Sequence, residues 1–515
     1  VRLREAGTST PEIAGRREWL GLAVLVLPCV IVAMDVSVLY LASPEISTDL
    51  DPGSAGLLWI MDIYGFMLAG LLIIAGNVAD RIGSRRMLLG GAACFAVVSA
   101  LSAYTPNAGA LIACRALLGV AGATLLPSTL SLIRNMFRDQ GQRRTAIAVW
   151  TAGFAGGGVL GPMVGGVLLE HFWWGSVFLV NVPIMLVLLT LGWVLLPEFT
   201  DPSPGSFDLL GASLLLTATL CVAYGIKTTA EAGMTLSGVG APVLGVVTGV
   251  LFIRRQRRAE DPLVDLRLFA NRIFRTSFIV NSSAILVALG CGLFISQYLQ
   301  LVLGLRPFES ALWLLPGAIG LAAGSAGAAT LARRTHPAAI ISAGLFIMTA
   351  GFTLMAMSGI GDSPVVVSAA YGTISAGFGA TSSLVVALIV DNVPPARAGA
   401  AAGLSETGSE LGASAGVAVL GSLGAWIYRT QLGSSAPADH LGVARKVALD
   451  SLAGALSIAS DNAAGEGLAL AARRAFVSGM TAVGIVSAAI CVVLAAVAGF
   501  ALRDLSSGSD RSESQ

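Results

Sequence analysis

The chain has 515 residues, 55% of them hydrophobic and only 12% charged, with a formal net charge of +1. A soluble chain of this length carries about a quarter charged residues spread over several domains, so a water-soluble globular protein is excluded. The balanced charge gives no footing for nucleic acid, and the mean hydropathy of +0.81 points to lipid.

The apolar residues come in runs of membrane-spanning length, roughly 20 residues each. Hydropathy with turn and charge breaks predicts fourteen spans: 19–41, 57–78, 87–104, 109–133, 145–168, 175–195, 209–225, 239–253, 274–299, 310–331, 338–358, 363–390, 399–425 and 476–501. The first run, from Trp19, is too long for a cleavable signal peptide and carries an acid. Residues 1–18 and 502–515 read as tails. The stretch 426–475 is Ala-rich with apolar residues at helical spacing from Ala444 to Ile458, predicting short interfacial helices or a hairpin that serves as a gating cap or a spacer.

Charge parity orients the spans. With the N-terminus inside, the cytoplasmic segments hold Arg16, Arg17, Arg81, Arg85, Arg86, Arg134, Arg138, the cluster Arg254–Arg258, Arg333 and Arg334. The opposite segments hold few, among them Lys227 and Arg306, and most of these fall in the single loop 426–475. The positive-inside rule then puts both termini in the cytoplasm and 426–475 outside.

The six cysteines (Cys29, Cys94, Cys114, Cys221, Cys291, Cys491) lie in apolar runs and form no CxxC. The three histidines are read as scattered in loops, so neither a disulfide nor a metal site is expected.

Three glycine-bearing stretches stand out. After the second span comes Gly76-Asn-Val-Ala-Asp80-Arg81-Ile-Gly83-Ser84-Arg85-Arg86. Its glycines permit close packing and a tight turn, and Asp80 is placed to bond a helix N-terminus or an arginine. Span five carries Gly157-x-x-x-Gly161-Pro162-x-x-Gly165-Gly166; positions 157, 161 and 165 share one helix face, and Pro162 removes a backbone donor. Span one ends Asp35-Val-Ser-Val-Leu-Tyr40-Leu-Ala-Ser-Pro44.

The first stretch resembles the signature between the second and third spans of the major facilitator superfamily, with Ser84 where a basic residue is usual. The second resembles the motif of that superfamily's antiporters, and the third is similar to the signature of its fourteen-span drug:proton antiporters, the exporters of quaternary ammonium compounds and dyes. The resemblance implies an all-α membrane protein of major facilitator fold with 14 transmembrane helices. It implies a six-helix bundle over 19–195, an inserted helix pair over 209–253, and a second six-helix bundle over 274–501, flanking a central cavity. Some of these exporters have an acid near the position of Leu321; its absence here argues against a preference for divalent cations.

A charge at the bilayer centre costs on the order of 2.5–3.5 kcal/mol, so each one retained needs a reason. Asp35 lies in span one, Asp62 in span two, Arg115 in span four, and Glu406 and Glu410 in span thirteen. The last two, four residues apart, share a helix face. Two carboxylates so placed repel when both are charged, take up a proton readily and release it to an arriving cation, which is the exchange an antiporter needs. Arg115 cannot lose its proton; the resemblance puts it near Asp35, as an aid to proton release or as a structural ion pair. Ser37 is the nearest polar neighbour of Asp35 in sequence. Because an amide is cheaper to bury than a carboxylate, Asp35→Asn is expected to remove uphill transport and leave the fold intact. Tyr40, Trp59 and Tyr64 flank these acids and offer ring faces to an organic ammonium, or anchor the interface.

A phosphate-binding Gly-x-x-x-x-Gly-Lys loop is absent, which excludes a primary pump of that type. No nucleophile–base pair supports an enzyme, and a channel or receptor needs neither paired acids on one helix nor the antiporter glycines. The expected function is proton-coupled export of lipophilic cationic drugs, dyes and quaternary ammonium compounds across the bacterial cytoplasmic membrane. The alternative is a narrower exporter of one antibiotic or metabolite by the same mechanism. The proton gradient would replace any cofactor, and the protein is expected to work as a monomer in the bilayer.

Overall fold

A single apolar segment in lipid can pair all its own backbone polar groups as an α-helix, and every long element among the described residues is one. The computed structural model describes residues 14–200, 208–232, 235–259, 262, 264, 266–332, 334–393, 398–435, 444–460 and 465–503. Among the described residues there is no strand, and fourteen helical stretches are long and apolar enough to cross a membrane.

The first six spans are α1 (Arg16–Leu50), α2 (Gly53–Ile82), α3 (Ser84–Ala103), α4 (Ala108–Met136), α5 (Gln140–His171), and the short α6 (Ser176–Leu179) running into α7 (Asn181–Leu195). Two more follow, α8 (Leu209–Ala232) and α9 (Leu236–Gln256). Span nine is α10 (Arg272–Gly290), a break at Cys291, α11 (Gly292–Gln297) and a π turn over Tyr298–Val302. Then come α12 (Pro307–Leu331), α13 (Pro337–Ala356), α14 (Pro364–Asp391) and α15 (Ala398–Ser435), the short α16 (Ala444–Asp450) and α17 (Leu452–Ser460), and α18 (Gly465–Ala501).

Several helices outrun their predicted limits. α1 has 35 residues, α15 38 and α18 37. Hydropathy falls where these helices leave the hydrocarbon, but tertiary contacts carry them on: Arg429 of α15 pairs with Asp450 at 3.1 Å, and Arg473 of α18 donates to the Leu301 carbonyl at 3.2 Å. Much of the predicted outer segment 426–475 is therefore helix continued from α15 and into α18. α16 and α17 fill the helical stretch expected near Ala444–Ile458, while 436–443 and 461–464 lie outside the described residues. Two further expectations are corrected. His171 is the last residue of α5 and His336 the N-cap of α13, so neither is a mid-loop residue. Residues 76–82 form the last two turns of α2, with Gly83 (φ +106°) alone linking it to α3. That backbone conformation suits glycine alone.

Two apolar cores result. One is buried among α1–α7, with Leu25, Phe95, Leu118 and Phe178 fully enclosed; the other among α10–α18, with Phe274, Met348, Phe352 and Met480. α8 lies against α2 and α15, where Ala223 is buried with Phe66 and Ala418. Its N-cap Asp208 is clamped by Arg255 at 2.8 Å and Gln256 at 2.9 Å from α9 and its C-terminal end.

The two cores are tied together at one end. Tyr40 Oη donates to the Leu289 carbonyl (3.4 Å), Gln300 to the Leu41 carbonyl (3.1 Å), Ser47 to Ser451 (3.3 Å), Ser54 to the Asp450 carbonyl, and Arg306 pairs with Glu170 at 3.6 Å. All of these residues belong to the end that carries Leu50, Gly53, His171 and Pro307.

Candidate functional site

The intramembrane charges gather around α2. Asp35 of α1 is 1% exposed and Arg115 of α4 is fully buried; the Arg115 Nη1 donates to Asp35 Oδ2. Arg115 Nε donates to the Ile60 carbonyl at 3.1 Å, and its guanidinium stands 4.6 Å from the centre of the Tyr64 ring. The second Asp35 oxygen accepts from Asn181 Nδ2 at 3.3 Å, and the same amide donates to Ser99 at 3.3 Å. Ser37, the polar neighbour expected from sequence, instead bonds the Ala33 and Met34 carbonyls of its own helix at 3.2 and 3.1 Å. Helical spacing turns it away from Asp35, whereas Asn181 at the head of α7 points in from across the bundle.

Two residues along α2, Asp62 is buried against Lys227 of α8, with Nζ 2.8 Å from Oδ1. The same ammonium lies 3.7 Å from the centre of the Trp59 ring. Lys227 was expected in an outer loop; α8 runs on to Ala232, and the lysine is 1% exposed within it. Lys227 is thus an intramembrane cation and drops out of the loop tally. The available signal was the helix-compatible run Tyr224-Gly-Ile-Lys227, with an unpaired Asp62 elsewhere in need of a cation. Asn181 carried no such signal, because one amide near a span start is unremarkable.

Glu406 and Glu410 sit one turn apart on α15, both half-buried. Among the described residues neither has a side-chain hydrogen bond or ion-pair partner. The Glu410 turn lies against α2, where the Glu410 carbonyl and Ser414 face Gly65, one residue after Tyr64. Of the three flanking aromatics, Trp59 and Tyr64 already face the protein's own cations, while Tyr40 lies at the seam with α11 and does not join them.

The span-five glycines set α5 directly on α1 at the height of Asp35. A Cβ at Gly157 would fall 2.9 Å from Val30 Cα, one at Gly161 3.0 Å from the Met34 carbonyl oxygen, and one at Gly165 would strike Val38. Gly166 turns the other way: a Cβ there would fall 2.9 Å from Phe308 Cα of α12, so α5 makes close contacts on two faces. Pro162 lies within the helix between them. In the earlier glycine stretch, Gly76 lies against Pro127 of α4, and Arg81 is in the last turn of α2. The Asp80 side chain, expected to bond a helix N-terminus or an arginine, lies outside the described residues. Ser84 donates to Ser131 at 2.9 Å, and Arg85 and Arg86 pair with Glu198 at 3.5 and 3.6 Å, beyond the end of α7.

The sequence model of the Major Facilitator Superfamily matches residues 26–417. The chain is 42% identical to the multidrug efflux pump LfrA of Mycolicibacterium smegmatis, over 96% of this chain and 99% of the relative. It is 35% identical to the methyl viologen resistance protein SmvA of Salmonella typhimurium, over 90% and 93%. Among solved structures, a bacterial homolog of the human lysosomal transporter Spinster, inward-facing and unoccupied, superposes with a TM-score of 0.67 at 16% identity, covering 95% of this chain and 98% of that one. The peptide transporter POT with bound sulfate gives 0.62 at 16% identity, over 94% and 95%. A multi-pass membrane protein with paired buried charges on spans one, two, four and seven and, among the described residues, two unpaired acids on span thirteen, this chain is a transporter, not an enzyme, and belongs to the Major Facilitator Superfamily.

Proposed function

We propose that this chain is a proton-coupled antiporter that exports lipophilic cationic drugs, dyes and quaternary ammonium compounds across the bacterial cytoplasmic membrane. The observation that carries the reading is the contrast among its intramembrane acids. Asp35 and Asp62 each hold a cation of the protein, whereas Glu406 and Glu410 stand one turn apart, half-buried and without a partner among the described residues. A cation entering between the cores meets two carboxylates that can hold either it or protons, and mutually exclusive occupancy is what exchange requires. The relatives' names, multidrug efflux and methyl viologen resistance, agree with an organic-cation substrate.

With both termini cytoplasmic, the end where the cores are tied is the outer one, so this conformation is closed to the outside. The bundles over 19–195 and 274–501 would rock about the site, with the proton gradient as the energy source, no cofactor, and one chain as the working unit. The test is ethidium movement in proteoliposomes with an imposed pH gradient. Uptake into the vesicle against its concentration gradient that collapses with a protonophore is expected. Transport that ignores the pH gradient, or continues unchanged in Glu410→Gln, overturns the reading.

A further inference from the structure

Asp62 lies where α2, α8 and α15 meet, beside Trp59 and a small buried cluster of Phe66, Ala223 and Ala418. A carboxylate next to an indole face is a ready-made seat for an organic cation. Here the seat is filled by the Lys227 ammonium, 2.8 Å from one carboxylate oxygen and 3.7 Å from the ring centre. The lysine satisfies the acid only in part: Asp62 Oδ2 is buried without a hydrogen-bond partner. Beside the lysine is a void of about 10 Å³, the size of one water or one ammonium head. Lys227 lines this void together with Ser54, Leu58, Ser422 and Arg429, and Ser422 Oγ is buried there with no partner of its own. Arg429 is neutralised by Asp450, so the void is not closed to a second cation.

We propose that Lys227 is a tethered stand-in for substrate, filling the Asp62–Trp59 seat when it is empty and withdrawing toward Ser422 when an organic monocation takes its place. The α8–α9 pair then does more than extend the fold: it supplies a built-in competitor that keeps Asp62 compensated between cycles and sets how strongly a cation must bind to enter. A weakly held cation does not displace the lysine; one with a large aromatic face does. This rests on the cation-export reading above.

The test is equilibrium binding of tetraphenylphosphonium to the purified full chain in nanodiscs. If the lysine vacates its seat about a tenth of the time, Lys227→Ala tightens binding about tenfold. Added n-butylammonium, small enough to refill the seat, should return Lys227→Ala to the wild-type affinity and leave wild type unmoved. Lys227→Ala/Asp62→Asn should lose both effects. Should Lys227→Ala fail to fold, Lys227→Gln keeps a donor to Asp62 without the charge and carries the affinity comparison. Wild-type binding with no tightening in either variant, or no response of Lys227→Ala to butylammonium, overturns the stand-in role alone. Absence of binding by wild type and every variant overturns the cation-export reading as well.

Discussion

Asp35→Asn is the informative perturbation of the first ion pair. Both partners are enclosed, Asp35 1% exposed and Arg115 0%. The variant leaves a guanidinium with the Ile60 carbonyl at 3.1 Å, a ring face at 4.6 Å, an amide in place of its counter-ion, and an Nη2 that already lacks a partner. Removing one member of a buried pair costs about 3–5 kcal/mol, mostly through the charge left behind. Arg115→Met costs a similar amount, since Asp35 keeps only the Asn181 amide at 3.3 Å. The double variant buries a neutral amide with one donor in reach and should lose about 1–2 kcal/mol. Strong non-additivity is thus expected in unfolding of the detergent-solubilised protein. Single losses that simply add in the double variant would refute the pairing as a source of stability. The contact with Arg115 sets a cost for the left-over charge against the saving from burying a neutral amide, and unfolding of Asp35→Asn weighs the two. In transport, both variants lacking Asp35 should equilibrate dye without concentrating it; active efflux by the double variant would leave proton coupling to Glu406 and Glu410 alone.

Further outcomes follow from the rest of the site. Glu410→Gln should abolish pH-driven ethidium transport while Glu406→Gln narrows the substrate range, measured as growth with a panel of cationic dyes; normal range and rate in both would free α15 of any coupling role. Gly161→Val sets two methyl groups where one Cβ already lies 3.0 Å from the Met34 carbonyl. It should uncouple α5 from α1 and lower the unfolding temperature by several degrees, whereas Gly158→Ala, with open space beside it, should not. A Ser47→Cys/Ser451→Cys pair, whose hydroxyls sit 3.3 Å apart, should cross-link under mild oxidation and stop transport reversibly; transport by the cross-linked form would show that the outer tie need not open. Ser434→Cys, exposed near the end of α15, should react with an impermeant maleimide from outside intact cells, and reaction from inside only would invert the topology.

Span count was legible because hydrocarbon thickness leaves a repeated signature. Helix ends were not, since α15 and α18 continue through residues whose polarity is answered by partners far away in sequence, as Arg429 is by Asp450. The acids were legible as costly residues, but their partners were only half so. Arg115 declared itself inside an apolar run. Lys227 hid two residues past an apparent span end, and Asn181 as a single uncharged amide inside the apolar run 177–189. The glycine stripe of span five was visible as periodicity; that it faces Val30, Met34 and Val38, bracketing Asp35, needed the fold.

At 1.5 Å per residue the 38 residues of α15 extend about 57 Å, nearly twice the roughly 30 Å of hydrocarbon. Its far end, with α17 resting on α1 through Ser47 and Ser451, makes a stiff crest outside the lipid that joins the two cores. With both termini cytoplasmic, as proposed, such a crest would be an epitope. An antibody or designed binder that clasps α17 and the end of α1 together would lock the exporter from outside the cell without entering the drug path. A strain that altered its binding cavity to escape a cavity-directed inhibitor would gain no protection against it.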